Sequence, residues 1–212
     1  PNGLLAAGGG LSPQRLENAC RHGIFPWYNP GEPLLWWAPD PRWVLEPEAV
    51  KVARSLGKRL RRGDFGFGCD RAFDRVVAAC AAPRPGAGGT WITGAMQSAY
   101  RRLHALGLAH SFESWQGEAL VGGLYGVAIG QVFFGESMFH RVPDASKAAF
   151  VRGCAYLERW GYRLIDCQVH TAHLESLGAR DISRVDFAER LRVLCDQPVA
   201  AEAWRLTEPE DA

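Results

Sequence analysis

The chain has 212 residues, 47% of them apolar and 22% charged, with a net charge of +1. These values describe a globular protein of one or two domains and exclude a disordered or fibrous one. The near-neutral balance excludes a globally basic nucleic-acid binder, so any RNA affinity must come from a local patch. Cysteines at 20, 69, 80, 154, 167 and 195 show no C-x-x-C spacing. A core of this size needs no disulfide framework, so reduced, mostly buried thiols in the cytoplasm are expected. No apolar run is long enough to span a bilayer, and no signal-peptide pattern follows Pro1. There are no internal repeats.

Ser12-Pro13 starts a helix that ends at Gly23. Serine is a good N-cap, proline suits the first helical position, and glycine marks the stop. Residues 23–42, GIFPWYNPGEPLLWWAPDPR, then hold three tryptophans and five prolines. Repeated proline removes donors and fixes φ, so loops and short extended pieces are expected. Rings on such a track form either a hydrophobic plug or a stacking platform for bases. A strand is expected at Trp43–Leu45, a helix from Glu48 to Arg62, and a short strand at Phe65–Gly68. Asp70 is expected to cap a helix to Ala82. Residues 83–89 read as a loop, and Ala95–Leu106 as a helix stopped by Gly107.

Ala109–Trp115, Ala119–Ala128 and Gln131–Glu136 read as three antiparallel strands joined by turns at 116–118 and 129–130. Asp144 is expected to cap a helix to Gly161, followed by a buried strand at Tyr162–Cys167. Two short helices follow, the second capped by Ser183 with Asp186 three residues on. The tail after Thr207 is acidic and reads as loose. The order strands, helix, strand, helix is compatible with an acetyltransferase-like mixed sheet.

Several patterns could carry chemistry. Asp166 and Gln168 fall on one side of a strand end, with Cys167 opposite, so a carboxylate and an amide could fix an amine and a carbonyl together. The bland alternative is a polar pair capping the next helix. Glu136 sits among apolar residues in FFGESMF, where a carboxylate needs either an internal partner such as Arg141 or a cationic ligand. Leu124, Phe133, Met138, Phe139, Phe150 and Ile165 are either plain core or an apolar slot. Lys51, Arg54, Lys58, Arg59, Arg61 and Arg62 lie in twelve residues without an acid. They form a solvated face or a phosphate-binding one, with 51, 54, 58 and 62 on one side of a helix. His170 and His173 lack a third ligand at sensible spacing, so no metal is expected.

Residues 23–42 resemble the signature of bacterial leucyl/phenylalanyl-tRNA–protein transferases. So do GTWIT at 89–93, VGGLYG at 121–126, FGESMF at 134–139 and LIDCQ at 164–168, in the family's order along nearly the whole chain. The resemblance implies an α+β protein with a small N-terminal domain (1–42) and a GNAT-like catalytic domain (43–212). It also implies further residues ahead of Pro1. It implies transfer of Leu or Phe, possibly Met, from charged tRNA to the N-terminal amine of proteins starting with Arg or Lys, marking them for N-end-rule degradation.

In that reading Asp166 and Gln168 are catalytic, positioning or deprotonating the attacking amine. Trp27 and Trp91 lie near the terminal adenosine. Tyr100, Glu136, Leu124, Phe133, Met138, Phe150 and Ile165 bind substrate, and the 51–62 cations contact tRNA. Gly153 and Cys20 stand where the resemblance implies larger aromatics, so a wider slot is expected. No cofactor and no membrane partner are expected. The alternatives are a cell-wall-type tRNA-dependent aminoacyltransferase and a non-catalytic RNA-binding protein.

Overall fold

The computed structural model describes residues 2–83 and 90–205. Most of the expected 83–89 loop and the tail after Thr207 therefore lie outside the described residues. The first sheet joins Leu4–Ala7 (β1), Phe25–Pro26 (β2) and Leu35–Trp37 (β3) in the order β1-β3-β2, all antiparallel. The helix Pro13–Arg21 (α1) lies between β1 and β2 in the chain, and its Ser12 hydroxyl accepts from the Arg15 amide as expected.

The second sheet holds Arg42–Leu45 (β4), Gly66–Cys69 (β5), Ala109–Gln116 (β6), Ala119–Ile129 (β7), Val132–His140 (β8), Leu164–Gln168 (β9) and Arg180–Ile182 (β10). Its order is β10-β4-β9-β8-β7-β6-β5, and only the β8–β9 pair is parallel. A parallel neighbour needs a long crossover, supplied here by the helix Ala145–Arg159 (α5). The remaining helices are Arg54–Arg61 (α2), Phe73–Ala81 (α3), Gly94–Ala105 (α4), Ala172–Ser176 (α6) and Arg184–Leu194 (α7).

Adjacent residues of this sheet point into opposite apolar clusters. Val44, Tyr125, Phe134 and Leu164 join residues of α1, α3, α4 and α7. Leu45, Leu124, Phe133 and Ile165 join residues of α2 and α5. Strand alternation thus builds a core on both faces, which is why these strands are apolar throughout.

Three expectations are corrected. The helix from Glu48 to Arg62 is instead a 3-10 turn at Pro47–Ala49 followed by α2. The gap arises because the Lys51 amide donates to the Leu177 carbonyl at 2.8 Å, taking that residue out of a helix. Asp70 does not cap α3. Its carboxylate accepts from the Ser111 amide and His110 Nδ1, while Glu113 receives the Ala72 amide at the helix start. Asp144 precedes α5 with φ 67° and no cap bond, because its carboxylate holds Arg59. Strands β1 and β10 were not foreseen. Among the described residues no helix is long and apolar enough to cross a membrane.

Strand β7 meets the start of α5 at Gly122, where a Cβ would lie 2.6 Å from the Ala145 carbonyl carbon and from its Cβ. Gly122→Ala should therefore destabilise the protein by about 1–3 kcal/mol through overpacking. Urea unfolding of the two proteins measures this difference.

Candidate functional site

A cavity of about 810 Å³ opens where both sheets meet. Phe25, Pro26 and Trp27 bring the first sheet to its rim, and the C-terminal ends of β8 and β9 form its floor. Leu124, Met138, Phe150 and Ile165 supply apolar wall, and Trp91 lines another side. Trp27 is 47% exposed and tilts against Trp37, with ring centroids 6.0 Å apart. Glu136, Asp166 and Gln168 complete the lining. Nine of the expected site residues thus meet in one place.

The two carboxylates sit in opposite surroundings. Asp166 is 1% exposed and accepts hydrogen bonds through both oxygens. Arg42 grips it with Nε–Oδ1 at 2.8 Å and Nη2–Oδ2 at 2.6 Å, and the Gln168 amide adds a bond to Oδ1 at 2.9 Å. These bonds tie the Asp166 carboxylate to the end of β9, where it also lines the cavity. The guanidinium itself lies over the Phe25 and Phe187 rings, 4.9 and 4.7 Å from their centroids.

Glu136 is also buried but makes no ion pair with Arg141. Tyr100 and Gln168 hydrogen-bond to it, and its Oε2 has no partner. Burial raises its pKa to about 7; the two hydrogen bonds lower it less, and Asp166 adds repulsion. Gln168 reaches it from an unusual backbone, with φ 63°, where the chain leaves β9. Such a conformation costs about 1–3 kcal/mol and persists only where surroundings enforce it. Here the amide bond to Asp166 does so. Cys167 packs into the α5 cluster and also lines the cavity, but burial drives its thiol pKa far up, away from nucleophilic use.

Other expected residues fall elsewhere. Tyr100 lies beneath Glu136 and supports it without lining the cavity. Phe133 is core, 5.8 Å from Phe112 and 5.9 Å from Trp204 between ring centroids. It lies three residues before Glu136 on β8, about 10 Å back along the strand. Gly153 does not widen the slot, since a Cβ there would lie 2.6 Å from the Phe112 ring. Neither Gly153 nor Cys20 lines the cavity.

The 51–62 cations also lie away from the cavity. Arg59 is tied to Asp64, Asp144 and the Pro143 carbonyl, and Arg62 to Asp64. Lys51 precedes α2, so the single helical face is broken. His170 bonds Glu175 and packs on Trp43, while His173 lines the cavity with a buried Nε2 that has no partner. Sequence reasoning missed Arg42 as the partner of Asp166, although a carboxylate in a buried strand demands a cation. It also missed Tyr125, which lines the cavity and whose hydroxyl is buried without a partner.

The raised pKa of Glu136 carries a stability sign. The folded state holds this proton up to about pH 7 and the unfolded chain only to 4.5, so protonation favours folding between those values. That advantage is lost as pH rises through 7. Glu136→Gln imitates the protonated form and should be more stable than the parent at pH 8 by about 1–3 kcal/mol. The difference should vanish near pH 4, as denaturant unfolding at the two pH values would show.

Comparison with known proteins shows the family. Residues 44–192 match the model of the leucyl/phenylalanyl-tRNA protein transferase family, and residues 9–40 match that of its N-terminal domain. The chain is 60% identical to a leucyl/phenylalanyl-tRNA–protein transferase of Stutzerimonas stutzeri, over 97% of this chain and 90% of the relative. It is 58% identical to that of Methylococcus capsulatus, over 97% and 87%. It is 59% identical to that of Thiobacillus denitrificans, over 96% and 90%. The chain belongs to the leucyl/phenylalanyl-tRNA protein transferase family.

Proposed function

We propose that this aminoacyltransferase moves Leu or Phe from charged tRNA to the N-terminal amine of proteins beginning with Arg or Lys, in the cytoplasm, and so marks them for N-end-rule degradation. The observation that carries the site assignment is Glu136: a buried carboxylate with a free oxygen on the floor of an apolar cavity. Leu124, Met138, Phe150 and Ile165 receive the donor side chain, with Trp27 and Trp91 beside the adenosine. We keep the division into 1–42 and a GNAT-like 43–212, which the parallel β8–α5–β9 unit in a mixed sheet supports.

Ionised Glu136 takes one proton from the acceptor ammonium, and the freed amine lone pair then attacks the ester carbonyl. The ester C–O bond breaks, the nitrogen's second proton passes to the departing tRNA 3′ oxygen, and the amide replaces the ester. An α-amine has a pKa of about 7.7–8.0, close to that of Glu136 at about 7, so the proton moves between matched groups. Gln168 orients the reacting groups, and Asp166 positions Gln168. The ester is already reactive, so orientation contributes most. β-branched donors are stiff and bulky next to the α-carbon, which excludes Val and Ile from the slot.

Peptide transfer from charged tRNA tests this directly. With an Arg-starting peptide, kcat/KM should rise with pH through about 7 as Glu136 ionises. Glu136→Gln should remove that limb and lower kcat by roughly 10²–10⁴-fold. Full activity in Glu136→Gln would overturn the assignment, and RNA binding with no peptide product would favour the non-catalytic reading.

The tRNA body should lie along α2. Lys51, Arg54, Lys58 and Arg61 make no ion pair among the described residues, whereas Arg59 and Arg62 are partly neutralised. Replacing Arg54, Lys58 and Arg61 by Ala should lower the log–log salt slope of tRNA binding by roughly 0.7–0.9 per lost phosphate contact. Transfer from an aminoacyl-adenosine should be unchanged.

A further inference from the structure

A second polar cluster lies outside the cavity. Asp70 follows β5, His104 ends α4 and His110 begins β6, and one ligand-capable atom from each falls within 4.8 Å of the others. None of the three lines the large cavity. His104 Nδ1 lies 2.7 Å from the Ala109 carbonyl, so it donates there and Nε2 keeps its lone pair. His110 Nε2 lies 3.1 Å from the Gly107 carbonyl and donates to it, while Nδ1 lies 2.6 Å from Asp70 Oδ2. Asp70 Oδ1 accepts from the Ser111 amide at 2.7 Å.

Each imidazole is thus tied through one nitrogen to a backbone carbonyl and offers the other to the cluster. That is how metal-binding histidines are oriented. Aromatic rings fix both planes: Phe73 stacks on His104 at 4.0 Å and Trp204 on His110 at 3.9 Å. Asp70 takes φ 53°, uncommon for a residue other than glycine, and so turns its carboxylate toward the histidines.

We propose that His104 Nε2, His110 Nδ1 and Asp70 Oδ2 form a binding site for a divalent transition cation of the Zn²⁺ type. Two imidazoles and one carboxylate make a borderline donor set that suits such an ion. The ion replaces the proton between His110 Nδ1 and Asp70 Oδ2, and that proton goes to solvent. Asp70 is 19% exposed at its side chain and gives the ion a way in. The bound cation would tie three chain segments together beneath Trp204, away from the reacting groups.

Chelator-treated protein titrated with Zn²⁺ in buffers of different ionisation enthalpy should bind one ion, release a proton and unfold at a higher temperature. Three variants delete one ligand atom each and keep the neighbouring hydrogen bond. His104→Asn keeps a donor for Ala109, His110→Gln keeps one for Gly107, and Asp70→Asn keeps an acceptor for Ser111. Each should weaken Zn²⁺ binding by at least roughly 10–100-fold. Co²⁺ on the unaltered protein should give visible bands without a thiolate charge-transfer band, a readout that holds even if a variant misfolds. A thiolate band, no stoichiometric binding, or binding unchanged in all three variants would overturn the site.

Discussion

The pair between Arg42 and Asp166 is the interaction on which the rest of the site depends. Both charges are almost wholly removed from water and are joined by two hydrogen bonds, while the buried Arg42 Nη1 has no partner. Removing one partner of such a pair typically costs about 3–5 kcal/mol, because the other charge is left buried alone. The pair also sets geometry. Arg42 begins β4 and Asp166 lies near the end of β9, the neighbouring strand. The rings on either side of the guanidinium come from β2 and α7. Four distant stretches of chain are therefore fixed around one ion pair.

Reactivity is arranged outward from there. Asp166 holds the Gln168 amide, the left-handed turn at Gln168 follows, and the Gln168 side chain reaches Glu136. Two carboxylates on adjacent strands are given different states by their surroundings. One is paired with a buried guanidinium, while the other, without a cation, is pushed toward neutrality by burial. The uncompensated one faces the cavity.

Much of this was legible in the sequence where local and tertiary signals agree. Ser12 and Ser183 cap the helices they precede, and the three long strands β6, β7 and β8 follow their apolar runs and turns. Asp166 and Gln168 line one cavity, as the strand pattern suggested, and Glu136 meets them there without the cation its sequence context called for. Local signals failed where a distant group competed. Asp70 and Asp144 read as caps, but His110, Ser111 and Arg59 claim their oxygens. The acid-free run of residues 51–62 reads as uniformly free charge, yet Asp64 and Asp144 neutralise part of it from outside. Phe133 and Ile165 read alike as wall candidates and are register partners on β8 and β9, yet Phe133 packs against Phe112 and Trp204 while Ile165 reaches the cavity. Strand β1 has no buried residue and so no alternation to read.

The family models divide the chain between residues 40 and 44, as if two modules had been joined. The residue at that seam is Arg42, and its grip runs in both directions. An N-terminal cassette exchanged between relatives would carry Phe25 and the aromatic rim but not Asp166. Its fit would depend on a guanidinium reaching the same depth from the new junction. Recombination at this seam is therefore constrained at the point where sequence comparison sees a boundary, and the two segments must evolve as one mechanical unit.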